Sequence, residues 1–336
     1  MAGNLLNTYI TGFDRAIRET VEVQGGKLRP YVTLATGDLF RKEGIYQRTT
    51  GGGIPSKVTN RFGDSPVSDI DYSRRRTTRT SYQDGQFMDW ADVTKMGVDP
   101  RNVKLNVMKN KFLRQEDLII DAAMLGGASG ATTSDTFADV AFGNGLTNNG
   151  IIDDDTGATN AGFNYTKFVT RLERFGSQNV DVESQQVCFK VSWTQWKDII
   201  NDTNFVDFEK RGTLGSNSLD RNAGVIYDYM GCHFIVSNIV PYANTADPTA
   251  ANEIQVDLDA DVDTSTGAWQ NTANSGNTRM CYAFVKDAVL LEINPDITTK
   301  IDERADKSFN WYAYMKMELG AVRVEEEKVI AIACAQ

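Results

Sequence analysis

The run that most constrains this chain is Asp99–Leu125, a single uninterrupted amphipathic segment. Asp99 can serve as an N-cap, and Pro100 fits the first helical position, where its missing N–H would be unpaired anyway. Leu105, Met108, Phe112, Ile119, Ile120 and Ala123 recur at steps of three, four or seven and form one apolar stripe. Gly126-Gly127 supply the stop. At about 1.5 Å per residue the rod is roughly 37–40 Å long. The mean globular helix has only about 11–12 residues. Such a rod serves as the stiff spine of a flat building block or as an ordinary core helix; periodicity alone does not separate the two. The preceding Asp64–Gly97 reads as a polar strand-and-loop segment feeding the rod.

With 336 residues the chain has room for roughly two domain-sized units, and a 41% hydrophobic fraction supports a real core. The net charge of −10 argues against wrapping nucleic acid as the main task, because phosphate contact needs a basic surface. Four cysteines, Cys188, Cys232, Cys281 and Cys334, lack C-x-x-C spacing, and the first three sit in apolar runs. They read as buried thiols suited to a reducing compartment. Met1–Phe13 lacks the pattern of a signal peptide, and no window approaches the roughly 18 apolar residues of a membrane span.

Charge is unevenly spread. Arg41, Lys42, Arg48, Lys57, Arg61, Arg74, Arg75, Arg76 and Arg79 stand against only Glu43, Asp64, Asp69 and Asp71 within Arg41–Thr80. Ile45–Thr49 and Tyr72–Thr80 alternate as two strands of a long hairpin that has few large apolar residues to bury. Its basic charge suits docking on acidic neighbours, a solvated loop, or a nucleic-acid patch without a binding-module motif. Asn4–Val21, with Leu5, Tyr9, Phe13 and Ile17 at steps of four, is a helix candidate loosely tied by Gly25-Gly26 and Pro30. It reads as an arm reaching another subunit or as a helix packed on its own domain.

Ser129–Ala161 and Pro241–Asn277 are polar and loop-like. Asn164–Phe175 and Thr194–Lys210 read as helices. Gln186–Trp193 alternates as a strand with Val187, Phe189, Val191 and Trp193 on one face. Val225–Asn238 holds two strands around a turn at Gly231, and Met280–Glu292 is one apolar strand. Phe309–Met317 alternates, and Val322–Val324 and Lys328–Ala333 are closing strands.

Catalytic machinery is not visible. His233 is the only histidine, and its neighbour Cys232 would point to the opposite face of a strand. His233 therefore reads as a partly buried, hydrogen-bonded residue. No phosphate-cradling or nucleophile-elbow motif occurs, so no cofactor is expected. Asp257, Asp259, Asp261 and Asp263 resemble half a calcium loop. The loop has Val262 where Gly is needed and Ala268 where a bidentate Glu belongs. These aspartates and Asp153–Asp155 read as solvated loops, and no metal is assigned. Glu325-Glu326-Glu327 is a charged turn that could face a basic segment such as Arg74–Arg76 of a neighbour.

Several blocks carry a family resemblance. Gly63–Val67, Ser73–Thr77, Asp89–Asp92, Val98–Pro100 and Gly320–Ile330 resemble, in order and spacing, the major capsid proteins of certain tailed bacteriophages. The resemblance implies an α+β, Hong Kong 97-like fold. Residues 1–40 would be an N-terminal arm and 41–82 an extended hairpin loop lying over a neighbour. Residues 83–130 would form a peripheral domain with a spine helix at 99–125, 131–279 an axial domain, and 280–336 the return strands. It also implies assembly into pentamers and hexamers of an icosahedral shell around double-stranded DNA, without enzymatic activity. The implied partners are copies of the chain, a portal, a separate scaffolding protein and loosely touched DNA; no membrane is involved. The residues expected between subunits are Arg41, Lys42, Arg48, Lys57, Arg61, Arg74, Arg75, Arg76, Arg79, Glu325, Glu326 and Glu327. A surface-array protein or an encapsulating nanocompartment shell is the alternative.

Overall fold

The computed structural model describes residues 25–35, 43–50, 54–55, 57, 70–88, 101–131, 136–140, 142–143, 146, 150–152, 162–206, 219–220, 225–226, 228–229, 231–243, 255–256 and 278–335. The Asn4–Val21 arm, Asp99-Pro100, Arg41, Lys42, Arg61 and both aspartate runs lie outside them.

In chain order, β1 (Thr33–Leu34), β2 (Glu43–Thr50), β3 (Asp71–Thr78) and β4 (Thr80–Met88) precede the long helix α1 (Arg101–Leu125). Next come β5 (Ala128–Ala131), β6 (Ala138–Val140), β7 (Ile151–Ile152), α2 (Tyr165–Ser177) and β8 (Val187–Val191). These lead to α3 (Trp193–Asn201) and α4 (Thr203–Val206). Six short strands follow: β9 (Leu219–Asp220), β10 (Val225–Ile226), β11 (Asp228–Tyr229), β12 (Cys232–Val236), β13 (Tyr242–Ala243) and β14 (Gln255–Val256). The chain closes with β15 (Thr278–Val285), β16 (Val289–Ile293), β17 (Thr298–Arg304), β18 (Asn310–Arg323) and β19 (Val329–Ala335).

An eight-stranded sheet, β11-β12-β8-β15-β13-β14 with β19 beside β15 and β7 beside β19, is packed on both faces. Residues alternate along each strand, so the two faces join different cores. Met280, Tyr282 and Phe284 of β15, with Val329, Ala331 and Ala333 of β19, pack with Met108, Phe112 and Ile120 of α1. Cys281, Ala283 and Val285, with Ile330, Ile332 and Cys334, pack with Phe168 and Phe175 of α2 and Trp196 of α3. The expected apolar stripe of α1 is thus real: Met108, Phe112, Ile120 and Ala123 are buried, and Leu105 and Ile119 pack against the same core.

The mixed five-stranded sheet joins β1, β16, β18 and β17, with β4 paired to β18 from Trp311↔Met88 to Leu319↔Thr80. The smaller sheet β2-β3-β5-β6 contains the expected hairpin, Glu43↔Thr78 through Thr50↔Asp71.

Several expectations are corrected. β8 is buried along its whole length, because α1 covers the face that alternation leaves to solvent. Trp193 begins α3 and is 49% exposed. The expected helix Thr194–Lys210 breaks at Asp202, whose side chain accepts the N–H groups of Tyr165 and Asn204. Met280–Glu292 is two strands separated by a 3-10 turn at Lys286–Ala288. Val322-Arg323 belongs to the end of β18 rather than to a separate strand. Within Ser129–Ala161, β5, β6 and β7 add strands to two sheets where composition shows only loop. The turn at Gly231 is present, with φ +74, between β11 and β12.

Candidate assembly surfaces

The hairpin root lies across the chain's own body, and that decides where its arginines go. Arg75, 6% exposed, places Nη2 3.3 Å from Glu326. Glu326 also receives Arg323 Nε at 2.6 Å. Arg48 donates to Val324 O at 3.1 Å and to Glu327 at 3.3 Å. Arg79 donates to Asn294 O at 3.1 Å and lies 3.9 Å from buried Glu292, which also accepts the Tyr46 hydroxyl. Glu325 pairs with Lys328 at 3.1 Å.

Within the chain, Arg48 and Arg75 face Glu327 and Glu326, because β3 adds to β5 beside the β18–β19 corner. Arg76 is 3.7 Å from Glu43 and stacks over Phe137, yet its side chain stays 34% exposed. Arg74 is half-buried and Lys57 exposed. Within the described part of Arg41–Thr80, Lys57 is exposed, and Arg74 and Arg76 keep part of their side chains at the surface.

Arg323 is a feature that sequence reading missed. Its fully buried guanidinium donates to Ala123 O, Met124 O and Gly126 O at 3.3, 2.9 and 2.6 Å. Those carbonyls end α1, where no intrahelical donor reaches them and a cation suits the helix dipole. Arg323 also lies over Phe142, 5.0 Å from the ring centroid. The spine is therefore capped from nearly the other end of the chain. The only signal was a charge flanked by Val322 and Val324.

In the C-terminal half of α1 three carboxylates are buried. Asp121 is held by Lys190 Nζ at 2.6 and 2.7 Å and by the Tyr282 hydroxyl. Burial pushes Asp121 up to about 6, against the pull of the ammonium. Asp117 accepts the Lys27 and Leu28 N–H groups at 3.2 and 3.1 Å. Glu116 has no hydrogen-bond partner and faces Arg29 at 3.6 Å; burial pushes it up to about 7. The strap Gly25–Tyr31 is thereby sewn onto the rod. Gly25 is required there, since a Cβ would collide with the Leu113–Arg114 backbone. The strap reaches the large sheet too, through Lys27 Nζ on Val236 O at 2.7 Å and Tyr31 on His233 Nε2 at 2.6 Å.

His233 is accordingly a half-buried, hydrogen-bonded residue, as its isolation in the sequence implied. Cys232 points into the opposite core, where Arg171 Nη2 meets its sulfur at 2.7 Å, so the two do not form a catalytic pair. All four cysteines are buried free thiols. No helix among the described residues is long and apolar enough to cross a membrane. An open polar groove of about 1010 Å³ separates the hairpin root from the turn after α2 and the β18–β19 corner. What the geometry displays is a sheet covered on both faces, a long capped helix and a hairpin root held by ion pairs.

That architecture is the fold of tailed-phage capsid subunits. The head protein of Helicobacter pylori bacteriophage KHP40 superposes with a TM-score of 0.67 at 12% identity, over 99% of this chain and 96% of that one. The capsid protein of Helicobacter pylori bacteriophage KHP30 gives 0.66 at 13%, over 100% and 99%. That of cyanophage P-SCSP1u gives 0.64 at 12%, over 98% and 94%. No curated protein matches the chain. The model of the phage capsid protein family matches residues 5–336, and the chain belongs to that family.

Proposed function

We propose that this capsid protein assembles into pentamers and hexamers of an icosahedral shell enclosing the double-stranded DNA of a tailed phage. The observation that carries the reading is the family match across residues 5–336, together with a capsid fold covering nearly the whole chain. The physical case is additive: each subunit buries surface on several neighbours, so modest contacts sum to a closed shell. Residues 1–40 act as the arm, 41–82 as the extended loop, 83–130 with 280–336 as the peripheral domain, and 131–279 as the axial domain. The sheet buried on both faces and the capped rod supply the stiffness that such a plate needs.

Between subunits, basic side chains of the loop that reach the surface meet acidic neighbours. These are Lys57, Arg74 and Arg76, with Arg41, Lys42 and Arg61 nearby in sequence. Arg48, Arg75, Arg79, Glu326 and Glu327 support them by fixing the loop root, and Glu325 lies at its rim. The role is structural, not enzymatic. Assembly takes place in the host bacterial cytoplasm with a portal and a separate scaffolding protein. The net charge of −10 fits loose, non-specific contact with packaged DNA.

Electron microscopy of purified protein, with and without candidate scaffold, tests the proposal. Round closed shells support it. Tubes, flat arrays or dispersed monomers under every condition refute it, and a DNA-free shell filled with enzyme reassigns it to a nanocompartment.

A further inference from the structure

The strand β17, Thr298–Arg304, is exposed at all seven positions. One side pairs with β18, from Thr298↔Lys316 to Arg304↔Asn310. No described strand pairs with its other side. A long open edge presents a row of unpaired N–H and C=O groups and is usually shortened, bulged or covered. Arg304 is occupied by Asp306 at 2.9 Å, whereas Lys300 and Asp302 have no ion-pair partner among the described residues.

We propose that this edge pairs antiparallel with the same strand of a second copy, about a two-fold axis through Ile301. The proposal rests on the shell reading and names one contact within it.

The charge pattern favours a second copy as partner and orders the central registers. A two-fold axis perpendicular to a sheet keeps each face on its own side, so the axis must pass through a residue rather than between residues. Centred on Lys300, two ammonium groups oppose each other. Centred on Asp302, two carboxylates meet and Lys300 faces Arg304. Centred on Ile301, Lys300 meets Asp302 twice, Thr298 meets Arg304, Thr299 meets Glu303, and the isoleucines face each other. Of these three registers, only the last joins opposite charges, and directly opposed pairs are the unit of sheet stabilisation.

Position on the sheet agrees. Lys300 and Asp302 share a face with Tyr314 and Tyr312, where Phe87 is 46% exposed. Ile301 lies on the other face with Ala313 and is 36% exposed. Pairing would cover its free edge with its twin.

Assembled particles carrying Ile301→Cys or Thr299→Cys, oxidised and run on a non-reducing gel, test the proposal. The native thiols are buried and do not compete. Directly opposed Cα atoms lie about 4.5–5.5 Å apart, within the usual disulfide span of about 4.4–6.8 Å. In this register two Thr299 residues are roughly 13 Å apart along the strands. Ile301→Cys should give linked dimers and Thr299→Cys none. Adding Lys300→Asp should abolish the dimer, and adding Asp302→Lys as well should restore it. Closed shells without Ile301→Cys dimers, or with equal Thr299→Cys dimers, overturn the pairing. If the variants fail to assemble, an electron cryo-microscopy map of wild-type particles decides directly. β17 edges held apart in intact shells sink this contact alone, whereas the absence of any closed particle removes the shell reading with it.

Discussion

Glu116→Gln should stabilise the folded subunit at alkaline pH, and the gain should grow with pH in a calculable way. The Glu116 side chain has no solvent exposure, neither oxygen has a hydrogen-bond partner, and the Arg29 guanidinium approaches only to 3.6 Å. Asp117 and Asp296 add like charge, and burial raises its pKa from 4.5 to about 7. The folded chain thus keeps a proton that the unfolded chain has lost across that window. Stability then falls as pH rises, by about 1.4 kcal/mol per unit, until Glu116 ionises in the folded state. Gln removes this dependence. Between about pH 5.5 and 8.5, roughly 1.5 units of the window remain, so the advantage of the variant should widen by about 2 kcal/mol. Urea unfolding of unassembled wild type and variant at several pH values measures it. A pH-independent difference, or one that narrows as pH rises, would refute the assignment of Glu116 as a buried, poorly compensated carboxylate.

Arg323→Ala should cost more than about 3 kcal/mol, since it strands three carbonyls at the end of α1 and the Glu326 carboxylate; thermal unfolding reads this, and a loss under about 1 kcal/mol would deny the capping role. Lys190→Met should destabilise by roughly 3–5 kcal/mol by leaving Asp121 buried without its cation, whereas pairing it with Asp121→Leu should recover most of the loss in a urea titration. Arg75→Glu should unfold the hairpin root by opposing Glu326. Arg74→Glu with Arg76→Glu should leave circular dichroism unchanged and block shell formation in sedimentation assays; normal assembly would show that the loop docks without these charges.

The parts read correctly from the sequence depend on local pattern. The stripe from Leu105 to Ala123 made α1 visible, alternation exposed β18, and Ile45–Thr49 with Tyr72–Thr80 marked the hairpin. The misreadings share a different cause. β8 looked half-exposed because alternation cannot show that α1 lies on its second face. β5, β6 and β7 hid in a Gly- and Thr-rich stretch because two- to four-residue strands are held by their neighbours rather than by propensity. The arginines of Arg41–Thr80 were legible as a basic cluster, but nothing local told Arg75, buried on Glu326, from Arg76, one-third exposed.

Composition and periodicity by themselves determined the rod, the hairpin and the buried thiols, because each follows from residues close together in the chain. Only the tertiary structure decided which charges are internal braces and which keep surface exposure. An ion pair such as Arg75–Glu326, or a cap such as Arg323 on Met124 O, joins groups some 200 or more residues apart. The strength and the direction of those bonds exist only once the sheets have brought their ends together.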